Sequence, residues 1–203
     1  MALAEIPVEL VARSREGDPQ ALNDLIVAIS TDLRRLIYNQ VRDPEEADEI
    51  IQEVLIRVSR HLHNLKDVSK FPSWVMRMTF NQCFTFLRKK SRTSNFYSFE
   101  EDIEVAEEQT AFAPSRSHNP RQIMIRREIR REIDDAILEL PPRQRAAFSL
   151  FQLEGLSIRE IADVLGTSEG AVKFNIHQAR QKLKKALNHF LDRKSSNVAV
   201  DVY

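Results

Sequence analysis

A chain of 203 residues with 42% hydrophobic and 30% charged side chains has the composition of one or two soluble globular domains. Its 30 basic and 30 acidic residues cancel but segregate: residues 1–92 carry 14 basic and 13 acidic side chains, 93–120 one and six, and 121–194 15 and 10. No apolar run approaches a membrane span, residues 1–10 lack the pattern of a secretory signal, and the single Cys83 excludes an internal disulfide, so we expect no membrane insertion and a cytoplasmic setting.

Only four glycines and many Leu, Ile, Arg, Glu and Gln residues favour helix, and no stretch alternates cleanly enough for a sheet. The expected fold is all-α, with two helical domains joined by an acidic flexible linker. Helices are predicted at about 6–16, 19–41, 44–64, 72–90, 120–139, 142–154, 157–165 and 168–192. Three of these starts follow an Asx-Pro pair: Asp18-Pro19, Asp43-Pro44 and Asn119-Pro120. The Asx side chain caps the helix, and the missing proline N–H is no loss in the first turn. Glu46 stands where it would complete a capping box with Asp43.

The helix at 44–64 turns Ala47, Ile51, Val54 and Val58 inward. Its other side shows Glu45, Asp48, Glu49, Gln52 and Glu53, with Ile56 among them. Such a face serves solubility alone, or docks on a basic partner helix around its one apolar residue. The helix at 72–90 has a core stripe of Met76, Phe80, Cys83, Phe84 and Leu87, which makes Cys83 a packing residue. Opposite lie Trp74, Arg77, Asn81, Thr85 and Arg88, with Phe71 before them and Lys89, Lys90 and Arg92 after. An indole that stacks, an amide for base edges and cations for backbone are what a single-strand surface needs. A Trp packed against a neighbouring helix would give the same spacing.

From 93 to 119 the periodicity stops and acidic and small polar residues take over, so this stretch is read as the linker. In the C-terminal third, Ser157 and Glu160 form a capping-box pattern, Ile158, Ile161 and Leu165 face inward, and Gly166 supplies a turn. The next helix carries an apolar stripe of Val172, Ile176, Ala179, Leu183 and Leu187. This is the helix-turn-helix pattern, whose second helix enters the major groove of duplex DNA. Lys173, Phe174, His177 and Gln178 are placed for base edges, and Arg159, Ser168, Arg180, Lys182 and Lys184 for phosphates. A helical hairpin with a solvated basic face would share the periodicity. The last residues, 193–203, are read as a loose tail.

Three segments, taken together and in order, resemble one family. "ADEIIQEVLIRV" resembles the core-binding helix of bacterial extracytoplasmic-function (ECF, group IV) sigma factors. "FPSWVMRMTFNQCFTFLRKKSR" resembles their −10 helix, and "LPPRQRAAFSLFQLEGLSIREIADVLGTSEGAVKFNIHQARQKLKKAL" their −35 domain. The resemblance implies that 1–92 is a region 2 domain, 93–119 a linker toward the polymerase channels, and 120–192 a region 4 domain. It implies core RNA polymerase, promoter DNA (duplex at −35, single-stranded at −10) and an anti-sigma factor as partners. Asp48, Gln52 and Glu53 would meet the clamp helices of the largest polymerase subunit, and Trp74, Arg77 and Asn81 the opened −10 strand. Glu49 stands where the family usually has Asp, Leu55 where it has Phe, and Thr85 where an acidic residue is common. Ala171, Phe174, Asn175, His177 and Gln178 replace a Thr- and Arg-rich recognition pattern, so no −35 sequence is carried over.

Two other readings fit parts of the chain. A helix-turn-helix repressor or activator acting without polymerase leaves the Trp74 face and the acidic helix without a role. A sigma mimic that sequesters an anti-sigma factor is expected to bring a receiver domain, and no βαβ alternation appears. No enzyme activity, metal or cofactor is expected: His61, His63, His118, His177 and His189 form no ligand spacing with Cys83, and no phosphate-binding glycine loop is present.

Overall fold

The computed structural model describes residues 3–93 and 120–200. Among these it is all-α, as the composition and periodicity led us to expect. In chain order the helices are α1 (Val8–Arg15), α2 (Pro19–Val41), α3 (Pro44–His61), α4 (Phe71–Thr93), α5 (Pro120–Leu138), α6 (Pro142–Gln152), α7 (Ile158–Leu165) and α8 (Glu169–Val200). Short 3-10 turns occupy Leu3–Glu5, Leu62–Asn64 and Val68–Lys70. Apart from Thr93, the stretch read as an acidic linker lies outside the described residues.

Local chemistry sets most of the boundaries. Asp18 accepts backbone N–H bonds from Gln20 and Ala21 at 3.0 and 3.1 Å, and Asp43 does the same for Glu45 and Glu46 at 2.9 and 3.0 Å. The bond from Ala21, then the Arg13 guanidinium, holds the Asp18 carboxyl below its ordinary range. Glu46 does not close the capping box expected with Asp43. Its carboxylate pairs instead with Lys90 of α4, a partner far away in sequence. Pro7 disfavours helix at the residue before it, so α1 begins at Val8. Past residue 192 the helix continues to Val200, where a loose tail was expected. No Pro or Gly follows Gly170, and extending a formed helix needs only one further bond per residue.

The described chain divides into two compact units, one holding α1 to α4 with α7, the other α5, α6 and α8. In the first, α2 packs on α1 and α3, α4 packs on α2 and α3, and α7 packs on α4. Leu25, Ile29, Leu33, Ile37, Val54, Val58, Phe71, Val75, Phe80 and Cys83 are fully or almost fully buried there. Burying a side chain of this size contributes about 1.5–3 kcal/mol. Burial also pushes the Cys83 thiol up to about 12, so it is an inert packing group, as read from the sequence. In the second unit Ala136, Leu140, Ala179 and Leu183 form the core, with Ile137, Phe148 and Ala186 against it. Buried Arg145 donates to the carbonyls of Leu138 and Leu140 at 2.6 and 3.0 Å. It satisfies acceptors that the end of α5 leaves open and fixes the corner into α6.

Helix α7 begins and ends as its sequence indicated. Ser157 and Glu160 make the reciprocal capping box, which lowers the pKa of the Glu160 carboxyl through the Ser157 hydroxyl and backbone bonds. Gly166 then ends the helix in the left-handed region, at φ 64°, and a Cβ there would lie 3.3 Å from the Arg77 guanidinium. Gly166→Ala should therefore destabilise the protein by about 1–2 kcal/mol. Asn, which tolerates this backbone, should destabilise it less. Urea unfolding of the full chain followed by circular dichroism checks this; an unchanged midpoint for the Ala variant would contradict it.

Candidate polymerase and promoter interfaces

Three stretches of sequence were read as surfaces for partners, and each has its own geometry. On α3, Ala47, Ile50, Ile51, Val54 and Val58 are buried. Ile50 widens the inward face beyond the four residues picked out by spacing. The outer face carries exposed Glu49 and Gln52, half-buried Asp48 and Glu53, and Ile56, which is 44% exposed. Two of these acids already have cations. A single guanidinium nitrogen of Arg34 on α2 lies 2.7 and 2.8 Å from the two Asp48 oxygens, and Arg57 pairs with Glu53 at 2.8 Å, one turn along. Both pairs face solvent, where such bonds contribute about 0–1 kcal/mol. They orient the carboxylates without committing them. Arg34 is fourteen residues from Asp48, so no helical spacing could have announced it.

On α4 the division of faces is sharper than the expected stripe. Phe71, Val75, Met76, Thr79, Phe80 and Cys83 are buried, while Phe84 and Leu87 are half-buried. Thr79 can be buried because its hydroxyl donates to the Val75 carbonyl at 2.8 Å. Arg77, Asn81, Arg88, Lys89 and Lys90 are exposed, and Trp74 is half-buried. Phe71 departs from expectation. It was grouped with the strand-facing residues, but it is 0% exposed, with its ring 6.0 Å from the Trp74 indole at a 36° tilt. Phe71 therefore supports the indole from within the core and cannot itself meet a strand. Lys90 is tied to Glu46 of α3, and Arg77 lies against Gly166.

Within α7 and the turn after it, Arg159 and Ser168 are both exposed. On α8, Ala171, Val172, Ile176, Ala179 and Leu183 are buried. Lys173 is exposed, and Phe174, His177, Gln178 and Arg180 are half-buried on the flanks. Three contacts hold four of the polar side chains on this helix in place. The Gln181 amide nitrogen lies 2.8 Å from a His177 ring nitrogen, and the Asn175 amide donates back to the Ala171 carbonyl at 2.8 Å. The Arg180 guanidinium sits 5.2 Å above the ring of Phe151 on α6. Phe151 is far from Arg180 in sequence, and only tertiary packing brings the two together.

Among the described residues no helix is long and apolar enough to cross a membrane.

Comparison with known proteins places the chain in a family. Residues 25–93 match the family model for sigma-70 region 2, and residues 130–183 match sigma-70 region 4. The chain is 32% identical to the RNA polymerase sigma-H factor of Pseudomonas aeruginosa, over 94% of this chain and 98% of that protein. It is 30% identical to the ECF RNA polymerase sigma factor SigE of Mycolicibacterium smegmatis, over 90% of this chain and 67% of that protein. Its fold is similar to that of the sigma factor RpoE of Bartonella quintana, solved in complex with the anti-sigma factor NepR. That likeness has a TM-score of 0.58 at 19% identity and covers 82% of this chain and 96% of that one. The chain belongs to the extracytoplasmic-function sigma factors, the non-catalytic subunits that direct core RNA polymerase to promoters.

Proposed function

We propose that this sigma factor divides promoter recognition between its two halves, with 1–92 acting as region 2 and 120–192 as region 4. Region 4 finds the −35 duplex, and region 2 binds core polymerase and captures the opened −10 strand. The observation that carries this reading is the two-sided character of α4. Its inner side is locked by Phe71, Val75, Phe80 and Cys83, while Arg77 and Asn81 stand exposed beside a half-buried Trp74. An indole backed by a buried, tilted ring is a well-supported platform for an unstacked base. Asn81 then reads a base displaced from the stack, and that capture offsets part of the cost of melting. Arg88 and Lys89 serve the strand's backbone, and Lys90 joins them only by releasing Glu46.

On α3, Asp48, Glu49, Gln52, Glu53 and Ile56 form the polymerase dock. The ion pairs with Arg34 and Arg57 hold two carboxylates outward until cations of the partner replace them. On α8, Lys173, Phe174, His177 and Gln178 read bases and Arg180 holds a phosphate, while Arg159 of α7 and Ser168 of the turn after it also hold phosphates. The protein acts in the cytoplasm, where polymerase is, and an anti-sigma factor regulates it by covering these same faces. That a Bartonella quintana sigma factor of similar fold was solved with an anti-sigma factor is what suggests a partner of this kind.

Reversing the charge of Asp48 and Glu53 should weaken core binding by tenfold or more, since good interfacial charge pairs are worth about 1.5 kcal/mol upward. The thermal midpoint should barely move, because both side chains belong to exposed ion pairs. Titration against core polymerase checks this; unchanged affinity would take the acidic side of α3 out of the interface.

Holoenzymes carrying Trp74→Ala or Asn81→Ala should bind closed promoter duplex nearly normally and fail to open it, by about 1–3 kcal/mol for one lost stack. A template mismatched at −10 should restore much of the Trp74→Ala defect, because melting is supplied, and less of the Asn81→Ala defect. Permanganate reactivity of −10 thymines, measured beside duplex retention, separates the two steps. Parental melting by both variants would make the α4 surface ordinary packing.

A further inference from the structure

We infer that Phe151 is a positioning residue for promoter binding: its ring holds the Arg180 guanidinium in the orientation that meets a DNA phosphate. The inference rests on the reading of Arg180 as a phosphate contact. Phe151 lies at the C-terminal end of α6, one turn beyond Phe148. Phe148 packs on the core of Ala136, Leu140, Ala179 and Leu183, whereas Phe151 is only half-buried. An aromatic ring left partly outside the core keeps a face open to a neighbouring side chain. What its face meets is the guanidinium of Arg180, with Cζ 5.2 Å from the ring centroid.

The chemistry of that contact leaves the cation available. A cation–π contact draws on the charge of the guanidinium and brings no hydrogen-bond acceptor to it. A guanidinium held this way therefore keeps N–H donors for a bond to phosphate oxygens. Among the described residues no carboxylate pairs with Arg180 to compete for those donors. Arg180 directly follows Ala179, whose complete burial anchors the backbone at that point. Anchored below and clamped on one side, the side chain has fewer rotamers to lose on binding, which is how preorganisation strengthens an interface. The two residues are supplied by different helices, so the contact also ties the α6–α8 packing to the DNA-facing flank of α8.

The test is a double-mutant cycle in the holoenzyme. It uses a promoter duplex selected from a randomised library by the parent, with closed-complex affinity measured over a range of salt concentrations. Phe151→Leu should raise Kd about two- to fivefold, the range of an exposed cation–π contact. Phe151→Trp, which keeps an aromatic face, should restore parental affinity. Arg180→Ala should raise Kd and lower the salt slope by about one phosphate contact. Adding Phe151→Leu to Arg180→Ala should change nothing further. If Arg180→Ala leaves affinity and salt slope untouched, the phosphate reading of Arg180 fails, and the role of Phe151 fails with it. If Arg180→Ala weakens binding but Phe151→Leu does not, the positioning role alone is overturned. The same holds if Phe151→Leu weakens binding equally with and without Arg180, because the ring would then be acting on the fold.

Discussion

Burial of one side of α4 against α2 and α3 is the constraint on which the rest of region 2 depends. Phe71, Val75, Phe80 and Cys83 are essentially removed from solvent, and they fix both the axial rotation and the register of the helix. At 3.6 residues per turn, that rotation decides which side chains are left outside. Arg77 and Asn81 are exposed because their neighbours in sequence cannot be. Sliding the helix by one residue would bury a guanidinium and expose a phenyl ring. Protein cores are close-packed and resist such shifts, so the burial that stabilises the unit also fixes which groups of α4 face solvent.

Charge is handled differently. Three acids of α3 are paired with cations of the same unit: Asp48 with Arg34, Glu53 with Arg57, and Glu46 with Lys90. Each pair is at least partly exposed, so none contributes much to stability. Exchanging such an internal cation for another costs little, whereas exchanging a core side chain would cost several kcal/mol. The apolar face is therefore the permanent part of α3, and the acidic face is the exchangeable part. Ile56 adds the one apolar anchor in that face.

Much of this was legible in the chain because local chemistry coincides with global structure. Asp18-Pro19 and Asp43-Pro44 carry the whole instruction for starting α2 and α3 in four residues, and Ser157 with Gly166 brackets α7 in the same way. Expectation failed where the deciding partner was distant or unmarked. Phe71 reads as the first member of an exposed aromatic face, yet it turns into a core built by α2 and α3. Glu46 has the spacing of a capping box, yet Lys90 of α4 takes its carboxylate. The continuation of α8 to Val200 was missed because a polar, small-residue stretch was read as loose, although it contains neither Pro nor Gly. Arg42 adopts a left-handed φ of 56° to end α2, a place where Gly or Asn would have been the visible signal. The contacts of Asp48 with Arg34 and of Arg180 with Phe151 are tertiary, and no periodicity encodes them.

The most direct measurement is transcription in vitro from a randomised promoter library by core polymerase, with and without this protein, followed by sequencing of the transcript starts. The expected result is a set of starts that depends on the protein and shares two upstream elements, near −35 and −10. Trp74→Ala and Asn81→Ala should erase selection at the −10 element alone. Starts that are identical with and without the protein would contradict the account. So would selected duplexes that share a −35-like element but no preference at −10, because the chain would then be a duplex binder with an idle N-terminal half.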